Sequence, residues 1–186
     1  MWPWAHLGFA YILYSLYARG RFGRPPRPEP VLAVAFGSQL PDIVDKPLAW
    51  YGVLPSGRSL AHSLLFAAVL VIVVYAVGVV LDRVETATAL VIAHLSHLVT
   101  DLPPRVALGY PSGSEYLFWP FLSQNTFRYR AQAFEPPVAV EVIVTPFTDP
   151  VLFSLYGVFL FVTALGLWYV DGCPGLQYVR SGSSTR

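Results

Sequence analysis

The stretch AHLSHLVTDLPP, residues 93–104, sets His94, His97 and Asp101 in an otherwise apolar run. Imidazole nitrogens and carboxylate oxygens hold divalent cations, move protons or bond neighbouring helices, and hydrocarbon welcomes none of them without a partner. His97 and Asp101 are four residues apart and so share one face of a helix. His94 can share that face, and we read it as a packing or hydrogen-bonding residue. His6, Asp42, Asp45 and His62 also lie in or beside apolar segments, with Arg58 just ahead of His62. Each has a dull reading alone: His6 at an interface, Asp42 capping a turn after Pro41, Asp101 wet at a helix end before Pro103. Together they say more, because all 4 histidines of the chain fall in or beside apolar segments and none in the polar stretch from Pro103 to Pro150. Two ligands from one helical face, with others from neighbouring helices, is how helical bundles assemble a metal site.

The elements that must position these groups point to a membrane. Of 186 residues, 55% are hydrophobic and 12% charged, too apolar for an ordinary soluble chain. Leu64 to Leu81 and Val151 to Val170 are uncharged runs near the ~20 residues that cross a ~30 Å hydrocarbon core. Trp2 and Trp4 suit an interfacial belt at one end of a first helix, with Arg19 and Arg21 at the other. That helix is read as retained, because the N-terminus lacks the basic region and small-residue cleavage site of a signal peptide. The expected fold is an all-α integral membrane bundle of four to five helices, at about 4–18, 31–41, 60–81, 86–102 and 150–170. It forms one domain over 1–172, with one long interfacial loop and a disordered tail at 173–186. In the loop, EYLFWPF reads as an interfacial anchor and VAVEVIVT, 138–145, as a short strand or extended piece. A net charge of +1 gives no reason to expect nucleic acid, and one cysteine, Cys173, excludes an internal disulfide or a Cys-rich metal knuckle.

Following the crossings brings the polar residues together. The connector DRVE is so short that the fourth helix folds back against the third. At 1.5 Å per residue, His62 lies about 30 Å from that turn and His97 and Asp101 about 18 and 24 Å, a difference of a turn or two. If the short helix from Val31 traverses or re-enters, Asp42 and Asp45 join His6 and His62 at the same end. His nitrogen with Asp oxygen suits zinc or a similar divalent ion.

In order along the chain, AHLGFA, GSQLPDIVD, GRSLAHSLL, HLSHLVTDL and YLFWPF resemble the YdjM-like group of small membrane-bound metal-dependent hydrolases, from about residue 4 to 122. The resemblance implies a metal-ligand set of His6, Asp42, His62, His97 and Asp101 in an integral protein of a prokaryotic cell membrane. Two departures stand out: Gly57 replaces the first His of a His-Arg-Gly-x-Thr-His-Ser element, and the second Asp of a Pro-Asp-x-Asp element falls one position late, as Asp45. These leave a one-metal or decayed site in play beside a full multinuclear one.

The expected activity is metal-dependent hydrolysis of a lipid or other phosphoester at the membrane surface. Asp42 or Asp45 would orient or deprotonate a water and Arg58 would hold an anionic group. Trp50, Tyr116 and Trp119 would rim the site. An excess of arginine on the short loops at the opposite end would face it outward by the positive-inside rule. Rival readings are a non-catalytic structural or partner-binding bundle, a b-type haem held by His62 and His97, and an ion-handling path.

Overall fold

The structure is a computed structural model that describes residues 2–109, 111, 113–122 and 149–181. Among the described residues there is no strand, and the α-helices are α1 (Pro3–Phe22), α2 (Pro28–Gly37), α3 (Leu40–Trp50), α4 (Leu64–Val80), α5 (Val84–Thr100), α6 (Pro150–Val170) and α7 (Leu176–Ser181). Two 3₁₀ turns, Pro104–Leu108 and Glu115–Phe118, follow α5.

Local chemistry sets the ends. Proline at the first turn opens α1, α2, α3 and α6, where its missing N–H has no intrahelical partner to lose. The Ser63 hydroxyl accepts from the Phe66 amide at 3.1 Å to start α4, and Asp149 accepts from Val151 and Leu152 at 2.9 Å to start α6. Gly23, left-handed at φ 65°, closes α1 by donating to the Arg19 carbonyl.

Helix α5 packs against α1, α2 and α4, and α6 covers the other side of α1. Contacts along each pair give the directions. Tyr14 meets Glu85 while His6 meets Asp101, so α1 runs antiparallel to α5. Arg27 meets Glu85 and Ser38 meets His97, so α2 runs parallel to it. Tyr75 touches Thr88 and Phe66 touches His94, the antiparallel return expected of the short connector. The core between them is built from Ala10, Tyr11, Tyr14, Ala18, Val34, Ala89, Ala93 and Ala164. Its small side chains let backbones approach closely: a Cβ on Gly37 would stand 2.7 Å from the Leu90 carbonyl oxygen, and one on Gly78 2.8 Å from the Ala87 Cβ. At the end away from the histidines, Asp171 accepts from Tyr11 and Ser15 at 2.7 Å and pairs with Arg19, tying α6 to α1.

Four expectations change. The single helix at 31–41 is two, because Pro28 initiates α2 earlier and the chain breaks at Ser38 and Gln39 before α3, which takes in much of the expected loop. The helix expected from 60 begins at Leu64, since the preceding residues form an irregular turn. Part of the expected disordered tail is the helix α7, anchored by Tyr178 to Glu29 at 2.8 Å. Among the described residues, only α6 is long and apolar enough to cross a membrane by length and composition; α4 and α5, at 17 residues, are shorter. The extended piece at 138–145 lies outside the described residues.

Candidate metal centre

Four elements converge at the end of the bundle where α5 finishes. α1 brings His6, α3 brings Asp42 and Asp45, the turn before α4 brings Arg58 and His62, and α5 brings His97 and its terminal Asp101. His6, His62, His97 and Asp45 are fully buried, and Asp101 nearly so. Buried ionisable groups at this density need partners, and each has them.

The hydrogen bonds fix which nitrogen of each ring faces inward. His97 Nδ1 donates to the Ser38 carbonyl at 2.6 Å, an oxygen left over where α2 ends. His62 Nδ1 donates to Asp45 Oδ2 at 2.8 Å. His6 Nδ1 donates to Thr100 Oγ1 at 2.8 Å, whose own proton goes to the Ser96 carbonyl at 3.0 Å. With Nδ1 carrying the proton, Nε2 of each ring is the acceptor whenever the ring is neutral. Among the described residues these nitrogens lie beside one another and beside carboxylate oxygens. His62 Nε2 is 3.3 Å from His97 Nε2, 3.6 Å from Asp101 Oδ2 and 3.7 Å from Asp42 Oδ1. His97 Nε2 is 3.8 Å from Asp101 Oδ2 and 3.9 Å from Asp42 Oδ1, and His6 Nε2 is 3.3 Å from Asp101 Oδ1.

Converging lone pairs with outer partners on every Nδ1 are the arrangement in which metal-binding histidines are oriented, so the donor set fits a divalent cation. Two triads satisfy the spacing, His6 with Asp42 and His97, and His62 with His97 and Asp101. They share His97, whose Nδ1 is spent on Ser38, and one Nε2 lone pair serves one ion. The triads therefore overlap at His97 and could not hold two ions through it.

Asp45 stands behind this cluster. Its oxygens accept from the amides of Ser59 (2.8 Å), Ala61 (2.8 Å) and His62 (3.2 Å) as well as from the His62 ring. Burial alone would raise its carboxyl, but the bond from His62 and those from the Ala61 and Ser59 amides hold it below its ordinary value. Asp45, expected to share the water chemistry, is fully buried and accepts four hydrogen bonds, one of them from the His62 ring. Asp42 remains half in reach: Oδ1 faces the histidines and Oδ2 accepts from Lys46 at 2.6 Å. Arg58 donates from Nε to Asp101 Oδ2 at 2.9 Å, its guanidinium 5.9 Å above the Tyr116 ring. Trp50, expected at the rim, is highly exposed on α3, and Tyr116 is buried edge-on to His62 with ring centroids 6.0 Å apart.

A family model described as YdjM inner membrane protein matches residues 1–172. The chain belongs to that family. The description accords with a membrane location and covers every residue of the cluster. No curated protein and no solved structure matches.

For this YdjM-family chain, sequence reasoning overlooked Ser38, Thr100 and Lys46. Lys46 was legible as the i+4 partner of Asp42. Thr100 sits beside Asp101 and could have been noticed. The Ser38 contribution is a main-chain oxygen, for which no side-chain signal exists. His94, read as a packing residue, is buried against Phe66 with neither ring nitrogen hydrogen-bonded among the described residues.

Proposed function

We propose that this protein is a membrane-embedded, metal-dependent hydrolase acting on a phosphoester carried by a lipid or other amphiphile at the membrane surface. The observation that carries the reading is the convergence of three Nε2 lone pairs on Asp42 and Asp101 with every Nδ1 committed elsewhere. His6, Asp42, His62, His97 and Asp101 would hold the ion, zinc by preference for His and Asp donors. When bound, such an ion lowers the pKa of water and polarises the scissile bond. The chain's own groups do the rest: Asp42 orients the water and takes its proton, Asp45 holds His62, and Arg58 binds an anionic group beside Asp101.

The membrane embedding is supported by family membership and by the apolar faces of α4 and α6. Ile72, Val79 and Val80 on α4 and Phe159 and Val162 on α6 are each more than half exposed, a surface that water disfavours and lipid covers. Arg19, Arg21, Arg24, Arg27 and Arg83 lie at the end away from the histidines, whereas among the described residues the histidine end carries Lys46, Arg58 and Arg105. The positive-inside rule then turns the site outward.

Elemental analysis of detergent-purified protein tests the centre. About one equivalent of zinc or manganese is expected, lost in a His62→Ala, His97→Ala double variant. Wild type that carries no more metal than the variant returns the cluster to interhelical bonding and removes the hydrolase reading.

A further inference from the structure

Beside the histidine cluster lies an open cavity of about 460 Å³ lined by Lys46, Ser56, Gly57, Arg58, Gly113, Glu115 and Tyr116. Its two cations are the same two that hold the carboxylates of the cluster. Lys46 Nζ bonds Asp42 Oδ2 at 2.6 Å, and Arg58 Nε bonds Asp101 Oδ2 at 2.9 Å. Each charged head is thereby fixed at the boundary between cluster and cavity, with its side chain still about half exposed. An ammonium carries three donors, of which Asp42 takes one from Lys46.

Gly57 sets where Lys46 runs. A Cβ at position 57 would come within 3.3 Å of Lys46 Cγ and 3.8 Å of its Cα, so the lysine stem lies close against this position. A methyl there asks the stem to give by only a few tenths of an ångström, whereas a large side chain would press on it and shift the ammonium at the cavity mouth.

We infer that this cavity is the subsite for the substrate's anionic group, a tetrahedral phosphate clasped between Lys46 and Arg58, and that Gly57 is the specificity-determining gap that lets Lys46 reach it. The inference rests on the phosphoester reading of the adjacent centre and adds Lys46, which that reading does not use. A compact ammonium and a planar guanidinium on adjoining walls suit the oxygens of one phosphate. The aromatic face of Tyr116 under Arg58 holds the guanidinium in place.

Titration calorimetry with inorganic phosphate, on full-length protein in detergent whose metal content is measured in the same samples, tests it. Wild type is expected to bind phosphate, Lys46→Met to bind it about tenfold more weakly or worse, and Lys46→Arg to retain most of the affinity. Gly57→Leu should mimic Lys46→Met. Binding to vesicles of phosphatidylcholine with and without phosphatidic acid then separates a lipid-borne phosphate from a free one: a Lys46-dependent gain with phosphatidic acid assigns the headgroup, and equal binding to both assigns a soluble ester. Wild type that binds metal but no phosphate, or Lys46→Met that binds phosphate as wild type does, overturns the subsite and leaves the metal centre standing. Phosphate bound in a Lys46-dependent way, with no phosphoester cleaved, removes the hydrolase reading and leaves the subsite.

Discussion

At the scale of single residues, the cluster depends as much on the groups behind the histidines as on the histidines themselves. Asp45 receives three amides and one imidazole N–H, and an amide side chain would turn a donor toward some of those donors. Asp45→Asn should therefore weaken metal binding by about 10–100-fold, as loss of an outer partner does elsewhere. Competition with a chromophoric chelator would measure it, and affinity equal to wild type would take the positioning role from Asp45. His94 predicts the opposite. Its nitrogens make no hydrogen bond among the described residues, so an apolar ring of similar size forfeits none. His94→Phe should keep the full metal content and melt no lower than wild type; a loss of bound metal would show that His94 belongs to the centre. His94 and His97 are three residues apart on one helix, and the sequence reading set them in different roles without showing what each meets. What separates them is that His97 meets the end of α2 and His94 meets Phe66.

At the scale of elements, the break between α2 and α3 is the decisive feature. It exposes the Ser38 carbonyl to His97 and turns α3 so that Asp42 and Asp45 reach the site. Gly37, the last residue of α2, lets that end press against α5. Gly37→Val would force backbone apart where a Cβ would stand only 2.7 Å from the Leu90 carbonyl oxygen. We expect a loss of about 1–3 kcal/mol, as for other overpacked sites, together with reduced metal content because Ser38 moves with α2. A thermal melt in detergent with parallel metal analysis would check both, and an unchanged melt would mean that the close approach carries no load. The sequence showed apolar character at 31–40 but not the break, because prolines at 28, 30, 41 and 47 read as stop signals whereas here the first three sit in first turns.

At the scale of the whole molecule, the two ends are chemically unlike. One gathers His6, His62, His97 and Asp101; the other gathers Arg19, Arg24 and Arg27 with Asp171 and Glu85. This polarity is the basis of the proposed outward orientation. In a Cys173→Ser background, a cysteine introduced at Ser56 should react with an impermeant maleimide in intact cells. Protection in cells with reaction in inverted vesicles would reverse the topology.

By itself the sequence determined the helical class, the tight return between α4 and α5, the family, and the residues that form the cluster. Hydrophobic runs, a short connector and ordered motifs are local signals, and they survive without knowledge of packing. Only the tertiary structure decided that Asp45 stands behind His62, that Lys46 and Arg58 face one cavity, and that each Nε2 points inward. Those facts depend on main-chain oxygens and amides brought together from distant segments, and such groups are the same in every residue and so leave no mark in the sequence.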